Sequence, residues 1–500
     1  SLLGEVWWGI MKVKLQFERF LICRITFWTP SYLSHTLPMI QRLLLLLSII
    51  FLFSSCLTYY EKNIQLQNMI TAGQFESADK ILQNDKKGGE GKNRMLYFCN
   101  RGVVSFMNGE YEQSIEYFNQ ADYYVEDYKK SIGSEALALI TNPGIKPYQP
   151  EDFEAVMVHY YKALNFIYLN NYEGALVECR RVNILLQQFN EKYKEGKNKY
   201  TRDAFAHTMM GLVYEASGNI NDAFIAYRNA LEIYEQDYST MFGVQTPDQL
   251  KKDILRTAYE LGFGTELEFY KDKFGMTYEP EEEENGYLVF FWMNGFGPVK
   301  DEWSINFVNT GYNDGWMTLA NEEYGLSYPI YIGNYSNEKK NNFKNLSVLR
   351  VAFPKYVERK PLFNNAYISV NGDNYPLQLS EDINSIAFQC LKDRMVREIG
   401  AGIARLAAKK AMEAVARKEN ENLGAVLSII NAATEQADTR NWQALPYSIS
   451  YCRIPLSEGT HQVKLTATGR MQSEETFTFN IKKGQTSFFA FHNLESEQLR

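Results

Sequence analysis

The chain has 500 residues, a mass of 57.9 kDa and a net charge of −8. At roughly 150 residues per domain, this length predicts about three structural units. The content of 45% hydrophobic and 22% charged residues is that of a globular protein and excludes wholesale disorder. The acidic balance offers no basic surface for phosphates, so we expect no nucleic-acid partner.

The N-terminal region carries an export signal. Arg42 precedes a run over residues 43–53 that is apolar except for Ser48. This run is too short to span a bilayer but typical of the h-region of a secretory signal. Ser54 and Ser55 form a small-residue cleavage zone, and Cys56 follows them directly. This order resembles a bacterial lipoprotein signal, in which the cysteine receives acyl chains such as palmitate and becomes the new N terminus. An ordinary cleaved signal and an uncleaved anchor are the alternatives.

The signal divides the start of the chain into two segments. Residues 39–55 are predicted to be the signal peptide, and residues 1–38 an upstream extension that forms no domain. Leu57 follows Cys56, which by the sorting preference of lipoproteins favours the outer membrane of a Gram-negative bacterium. Because anionic lipid repels an acidic body, we expect acyl chains at Cys56, and not a basic patch, to hold the protein at the membrane.

Residues 56–280 are predicted to form a helical repeat domain. A unit with the spacing of a tetratricopeptide (TPR) repeat recurs three times. In each copy a small residue stands where two helices cross, and these crossing residues are Gly102, Ala163 and Gly211. Gly73 and Phe75 indicate a fainter copy at the start. Such repeats stack into a curved solenoid whose first helices line a concave face.

The concave face is the candidate binding surface. The register of the repeats assigns to it Phe106, Met107, Tyr160, Ile167, Tyr168, Leu212 and Glu215. Aromatic and methionine side chains are good anchors for a partner's helix or extended segment. Alternatively, the chain fills the groove with its own inserted segments, since exposed apolar patches of this size are uncommon in monomers.

Beyond an acidic run at residues 281–284 the pattern changes to strands. Residues 285–380 are predicted to be β-rich, with a hairpin turn at Asn371 and Gly372. Ser380 is expected to cap the first helix of a helical hairpin over residues 381–437, and residues 438–500 alternate like sandwich strands. The predicted fold is therefore α+β and multidomain: an N-terminal TPR-like solenoid, then a sandwich-like β domain with an inserted long helical hairpin.

Several motifs resemble a family of bacterial tetratricopeptide lipoproteins. They are residues 157–165, residues 175–183 with Arg180 and Arg181, the stretch with Gly295, Pro298 and Lys300, and the stretch with Asp438, Arg440, Trp442 and Pro446. The resemblance brings no established activity with it, but it implies association with other outer-membrane lipoproteins in envelope assembly. From the residues alone, we expect Arg440 to pair with Asp438 or to cap the preceding helix, and Trp442 to plug the joint between hairpin and sandwich. A partner-binding loop is the alternative.

The sequence contains no recognisable catalytic or metal-binding motif. The histidines of the mature chain lack metal-ligand spacing, so no metal, cofactor or catalytic residue is expected. No C-x-x-C pair occurs either, and free buried thiols are expected at Cys99, Cys179, Cys390 and Cys452.

Three functions compete at this level. The leading hypothesis is a lipid-anchored scaffold without catalytic turnover, which binds other lipoproteins or outer-membrane proteins through the solenoid. A surface lipoprotein that binds glycans or nutrients is the alternative, because tyrosine and tryptophan rings can stack on sugars. A cell-wall-acting enzyme is third, and it requires a pocket with two carboxylates about 5 to 9.5 Å apart.

Overall fold

The fold is that of a computed structural model of the chain. The structure describes residues 59–497 apart from residue 86 and the segments 131–143, 145, 193–198, 281–284, 314–315, 324, 332–347 and 420–434. The predicted signal peptide, Cys56 and most of the second helix of the predicted hairpin lie outside the described residues. None of the described helices combines the length and the apolar character needed to cross a bilayer.

The described N-terminal half contains five helical hairpins in succession. They pair α1 (Tyr59–Thr71) with α2 (Phe75–Asn84), α3 (Arg94–Met107) with α4 (Tyr111–Lys130), α5 (Asp152–Tyr168) with α6 (Tyr172–Lys192), α7 (Ala204–Ala216) with α8 (Ile220–Ile233), and α9 (Asp248–Glu260) with α10 (Gly264–Phe274). Between α8 and α9 the chain continues through a π-helical turn, Tyr234–Tyr238, and a short α-helical turn, Ser239–Met241.

The turn inside each hairpin is the same. The first helix ends at a residue with φ between 55° and 78°, and these residues are Gly73, Gly109, Asn170, Gly218 and Gly262. The amide of the following residue donates to a carbonyl five positions back, as from Glu110 N to Ser105 O at 2.9 Å. This is the Schellman motif, which satisfies the last carbonyls of a helix and requires a left-handed residue.

The two helices of a hairpin approach closely at the predicted crossing residues. A Cβ atom on Gly102 would come within 2.7 Å of the Phe118 ring, and one on Gly211 would overlap the Tyr227 ring. Ala163 stands at the same repeat position in the second predicted copy and is fully buried. The TPR-like register predicted from the spacing therefore agrees with the helix packing.

The fifth hairpin, α9 with α10, is not among the predicted repeats. Its second helix carries Leu267 at the position that is small in the other four, which have Ala78, Ser114, Ala175 and Ala223. The small-residue signal is therefore absent from the sequence of this copy, although its turn at Gly262 has the same geometry.

Two sheets follow the solenoid. The larger has seven strands in the order β10-β9-β6-β7-β8-β1-β11. Its strands are β1 (Asn285–Phe296), β6 (Phe363–Val370), β7 (Asp373–Asp382), β8 (Pro446–Ser457), β9 (Gly459–Gly469), β10 (Gln472–Ile481) and β11 (Thr486–Asn493). Neighbouring strands are antiparallel except β1 and β11, which are parallel.

The larger sheet folds over at β7 into a sandwich-like unit. The first part of β7 pairs with β6 and the last part with β8, with a register shift between Leu379 and Glu381. The outer strands β10 and β11 meet across the core, since the rings of Phe477 and Phe489 lie 4.9 Å apart. Strands that pass from one layer to the other at a bulge are a known way to close such a core.

The smaller sheet lies apart from the sandwich and packs on a long helix. Its strands are β2 (Val299–Asn313), β3 (Trp316–Asn321), β4 (Leu326–Tyr331) and β5 (Val348–Val357), in the order β4-β3-β2-β5. Its buried side chains share a core with Ile399, Ile403 and Leu406 of the helix α11 (Ile383–Glu419). The predicted β-rich region of residues 285–380 is therefore divided between two sheets.

The predicted cap of the long helix is wrong. Ser380 belongs to β7, and its carbonyl accepts a hydrogen bond from the Tyr234 hydroxyl at 2.8 Å. Asp382 takes the capping role, because its carboxylate accepts bonds from the Ser385 amide at 2.8 Å and from the Ser385 hydroxyl at 2.7 Å. The helix therefore begins only after β7 has completed its pairing with β8.

Candidate functional site

The predicted concave groove is occupied by the chain's own sheet. Phe106 of α3 contacts His492 of β11, with ring centroids 5.6 Å apart. The Tyr168 hydroxyl of α5 accepts a hydrogen bond from the Ala490 amide of β11 at 2.7 Å. Phe106, Tyr160, Ile167 and Leu212 are at most 4% exposed, and Met107 is partly buried in the same core. This corrects the assignment of a partner-binding groove in favour of the self-filled alternative.

Strand β1 supplies the side chains that fill the groove. Val289, Phe291 and Met293 share a core with the helices, while Leu288, Phe290 and Trp292 face the interior of the sandwich. The rings of Phe291 and Phe205 of α7 lie 6.0 Å apart. A strand buried on both faces reads as a continuous apolar run, so the sequence does not indicate which face meets the helices.

Glu215, the charged member of the predicted groove, lies in a buried ion network. Arg256 of α9 donates to both of its carboxylate oxygens at 2.8 Å, and Arg453 of β8 pairs with it at 2.5 Å. Burial opposes ionisation, but the two arginines lower the pKa of Glu215 to about 2. The network joins the fourth hairpin to the fifth hairpin and to the sheet.

Tyr160 lies near two buried carboxyl groups. The Tyr200 hydroxyl donates to Asp203, and the Tyr238 hydroxyl donates to Glu381 at 3.3 Å. Within the described residues, neither carboxyl group forms an ion pair with a cationic side chain. Burial, followed by the charge of Asp203, raises the pKa of Glu381 well above its ordinary value.

The motif residues that are distant in the sequence meet at a single joint. The side-chain Nδ2 of Asn441 donates to the Pro298 carbonyl at 2.8 Å, and the backbone amide of Lys300 donates to Asn441 Oδ1 at 3.1 Å. Arg440 pairs with Asp438, with Nη2 and Oδ2 2.6 Å apart, as the sequence predicts. We call this arrangement of residues 295–300 and 438–446 the joint.

Trp442 fills the solenoid side of the joint. Its side chain is 1% exposed, and its ring centroid lies 5.9 Å from that of Phe118 and 6.0 Å from that of Tyr161. The expected place between helical hairpin and sandwich is therefore corrected to the seam between solenoid and sheet. At the same joint Gly295 turns with φ of 59°, and Pro446 begins β8.

Two buried glutamates lie beneath the joint at the start of α5. Glu151 pairs with Lys300 and, at 2.7 Å, with Arg394 of α11. Glu154 accepts bonds from the Tyr148 hydroxyl at 2.5 Å, the Glu151 amide at 2.9 Å and the Trp442 amide at 2.6 Å. The solenoid, the smaller sheet, the long helix and the segment that leads into β8 are thus held at one point.

The environments of the two glutamates separate their pKa values. Burial opposes ionisation of Glu151, but Arg394 and Lys300 lower its pKa below the ordinary value. Burial raises the pKa of Glu154 to about 7, against the attraction of Lys300. A catalytic acid and base need such a difference, but they also need a substrate proton within reach. Both side chains are at most 2% exposed and are bonded to protein groups, so the geometry favours a structural role.

The two motif arginines of α6 connect neighbouring hairpins. Arg180 donates to the Tyr214 hydroxyl of α7 at 2.8 Å, and Arg181 pairs with Asp122 of α4 at 3.1 Å. The four cysteines of the described chain are free and buried, as predicted. Across the same residues, no group of three or more His, Cys, Asp or Glu side chains is arranged to hold a metal ion.

A row of exposed apolar side chains lies on the second helices. We call it the outer row, and its members are between 41% and 60% exposed: Tyr123, Val177, Ile184, Ile225 and Phe269. Positions in each hairpin are counted from the turn residue with positive φ. Val177, Ile225 and Phe269 stand at position +7, and Tyr123 and Ile184 stand at position +14. Residues two helical turns apart share a helix face. Aligning the repeats by their turns is the signal that reveals this row.

No family model matches the chain. Among curated proteins, the chain is similar to the STIP1 homolog of Dictyostelium discoideum, with 26% identity over 124 residues. The match covers 23% of this chain and 22% of that protein, so the chain spans about a fifth of the relative's length.

Solved structures similar to the chain include other helical repeat proteins. MamA is 16% identical, with 44% of this chain and 94% of MamA covered and a TM-score of 0.27. A putative kinesin light chain of Podosopora anserina with TPR-like repeats is 13% identical, with 42% and 89% covered and a TM-score of 0.28. Since these scores are low, the repeat assignment rests on the hairpin geometry given above. The chain is a TPR-like helical repeat protein joined to a β domain.

Proposed function

We propose that the protein is a lipid-anchored scaffold that holds other proteins at the envelope of a Gram-negative bacterium. In this proposal acyl chains on Cys56 are the anchor, and the outer row contacts the partner proteins. The outer row is the observation that supports it. Exposed apolar side chains that recur over successive repeats are typical of a protein contact surface. Since the inner face is filled by the sheet, partner binding falls to the outer face.

The position of Cys56 in the sequence supports the anchor. Only residues 57 and 58 separate it from Tyr59, where α1 begins. The three Cα-to-Cα steps from Cys56 to Tyr59 reach at most about 11 Å, so an acyl group on Cys56 would hold the first hairpin close to the lipid headgroups. Other lipoproteins and outer-membrane proteins are the partners that such a location makes available.

The anchor is tested by expressing the full chain and a Cys56→Ser variant in a Gram-negative host fed labelled palmitate. We expect label and membrane association for the parent chain, and neither for the variant. Mass spectrometry of the parent should show a diacylated cysteine at the mature N terminus. An unmodified thiol at that position contradicts the anchor.

The contact surface is tested with the double variant Ile184→Glu and Phe269→Glu. Both residues are exposed, so the helix content should stay unchanged in circular dichroism while cross-links to envelope proteins are lost. Glu116→Lys is the matched control, because Glu116 stands at the +7 position of its hairpin but is not part of the row. Unchanged cross-links in the folded double variant count against the outer row. Tyr160 and Tyr168 are unsuitable targets because both pack in the core.

A further inference from the structure

A cavity of about 320 Å³ lies between α1, the end of β1 and the segment that follows β11. At about 30 Å³ per water molecule, it has room for about ten waters or one small organic molecule. Apolar side chains such as Phe296 and Leu494 form part of its wall, and Arg359, Asn68 and Ser496 contribute polar groups.

Arg359 is a buried cation without a carboxylate partner among the described residues. Its guanidinium donates to the Gly297 carbonyl at 2.6 Å, to Gln67 Oε1 at 2.6 Å and to the Gln443 carbonyl at 2.7 Å. All three acceptors are neutral, and two of its five N–H groups remain for another acceptor. Burial lowers the pKa of Arg359 to about 9, because no anion compensates its charge. A buried charge of this kind is costly unless a counter-ion joins it.

The other charges at the cavity are acidic. Glu495 and Glu497 both belong to its lining, and Glu497 pairs with Arg470. The Glu495 carboxylate forms no ion pair within the described part of the chain. Ser496 accepts a hydrogen bond from the Phe296 amide at 2.7 Å, which leaves its hydroxyl hydrogen to donate to a ligand. The cavity therefore presents one uncompensated positive group and one uncompensated negative group.

We propose that this cavity binds a small zwitterion, with its single anionic group on Arg359 and its ammonium group on Glu495. A free anion satisfies the arginine but is repelled by the uncompensated Glu495. A free amine satisfies Glu495 but is repelled by the arginine. The phosphoethanolamine headgroup of a lipid and a free amino acid both have the required chemistry. The proposal does not depend on acylation of Cys56.

Isothermal titration of the full chain with glycerophosphoethanolamine and with glycine tests the site and its source. We expect a Kd of about 0.1 to 1 mM for at least one of them, as for a ligand held by two ion pairs. Inorganic phosphate and ethanolamine should each bind at least tenfold more weakly. Binding of inorganic phosphate as tight as that of the zwitterions, or no zwitterion binding, overturns the proposal.

Vesicles distinguish a lipid source from a soluble one. The Cys56→Ser full chain is used, so that an acyl anchor cannot contribute. Phosphatidylglycerol vesicles with added phosphatidylethanolamine should bind the chain more tightly than vesicles without it, and Arg359→Met should remove the difference. If glycine binds in solution and the vesicles make no difference, the ligand is an amino acid, and the zwitterion site still stands.

Glu495→Gln is the decisive variant, because Arg359 also supports the fold. It should weaken zwitterion binding about tenfold and strengthen acetate binding, since the repulsion of the anion falls. Glu475→Gln, an exposed change of the same charge on β10, is the matched control and should alter neither. Unchanged zwitterion binding by a folded Glu495→Gln variant rules the site out.

Discussion

Asn170 stands where the other four hairpin turns have glycine. Its φ of 55° lies in the left-handed region, which a residue with a Cβ atom adopts at a cost. We expect Asn170→Gly to raise the free energy of unfolding by about 0.5 kcal/mol, because the turn loses that strain. Urea unfolding measures the change.

The reverse substitution provides the control. Gly109 has φ of 78° in the equivalent turn, and no atom lies within 4 Å of an added Cβ. Gly109→Ala should therefore lower stability by about 1 to 2 kcal/mol through the backbone alone. A stabilising Gly109→Ala, or a destabilising Asn170→Gly, contradicts the shared turn conformation.

Glu154 should make stability depend on pH. Its pKa rises from an ordinary 4.5 to about 7 in the folded chain, so folding binds a proton more tightly. Stability from this group is complete below pH 4.5 and is lost as the pH rises to 7, by about 3 kcal/mol at most. Glu154→Gln should reduce this slope in melting temperatures measured across that range. The exposed change Glu475→Gln should keep the slope, and an equal slope in both variants contradicts the assignment to Glu154.

At the scale of elements, the long helix approaches β5 through one glycine. A Cβ atom on Gly402 would lie 2.9 Å from Val351 Cγ1 and 3.0 Å from Phe353 Cε1, whereas Gly400 has no atom within 4 Å of an added Cβ. Gly400→Ala should stabilise the protein by up to about 1 kcal/mol, because alanine is the better helix former. Gly402→Ala should lose that gain and destabilise by about 1 kcal/mol or more through overpacking. Equal thermal stability of the two variants would show that α11 and β5 do not pack this closely.

Elements were easier to predict than their partners. The hairpin turn at Asn371 and Gly372 is confirmed, since both residues have positive φ and join β6 to β7. Such signals are local in the sequence. The parallel pairing of β1 with β11 depends on contacts between distant strands, and no short pattern encodes it. Because β1 is buried on both faces, its sequence likewise does not show that one face fills the groove.

At the scale of the whole molecule, solenoid and sheet should unfold together. Among the tryptophans of the described residues, Trp292, Trp303 and Trp316 belong to strands, and Trp442 packs at the seam with the solenoid. Their fluorescence therefore reports the β part together with that seam. Far-UV circular dichroism reports mainly the helices. Because Glu215, Arg256 and Arg453 link the two parts, both signals should change at the same denaturant concentration.

Arg453→Met tests this coupling. It leaves a buried carboxylate with one partner fewer and should lower stability by about 3 to 5 kcal/mol, shifting both signals together. Lys464→Met removes an exposed ion pair with Glu474 and should leave both transitions nearly unchanged, because solvent screens such a pair. A shift of the fluorescence transition alone in Arg453→Met would mean that the two parts unfold independently.

The sequence motifs identify the residues of the joint but not its place between solenoid and sheet. Arg440 and Asp438 pair as the sequence predicts, because they are close in the chain. The meeting of Glu151, Glu154, Lys300 and Arg394 could not be predicted, since the start of α5, β2 and α11 are distant from one another in the sequence. The outer row and the Arg359 cavity could not be predicted either, because the exposure of a side chain and the lack of a counter-ion depend on the assembled fold.

Strand β11 is synthesised after every helix that it covers. Without β11 the inner surface of the hairpins around Phe106 and Tyr168 loses its cover. A chain truncated before residue 486 should therefore bind a dye for exposed apolar surface such as ANS, whereas the full chain should not.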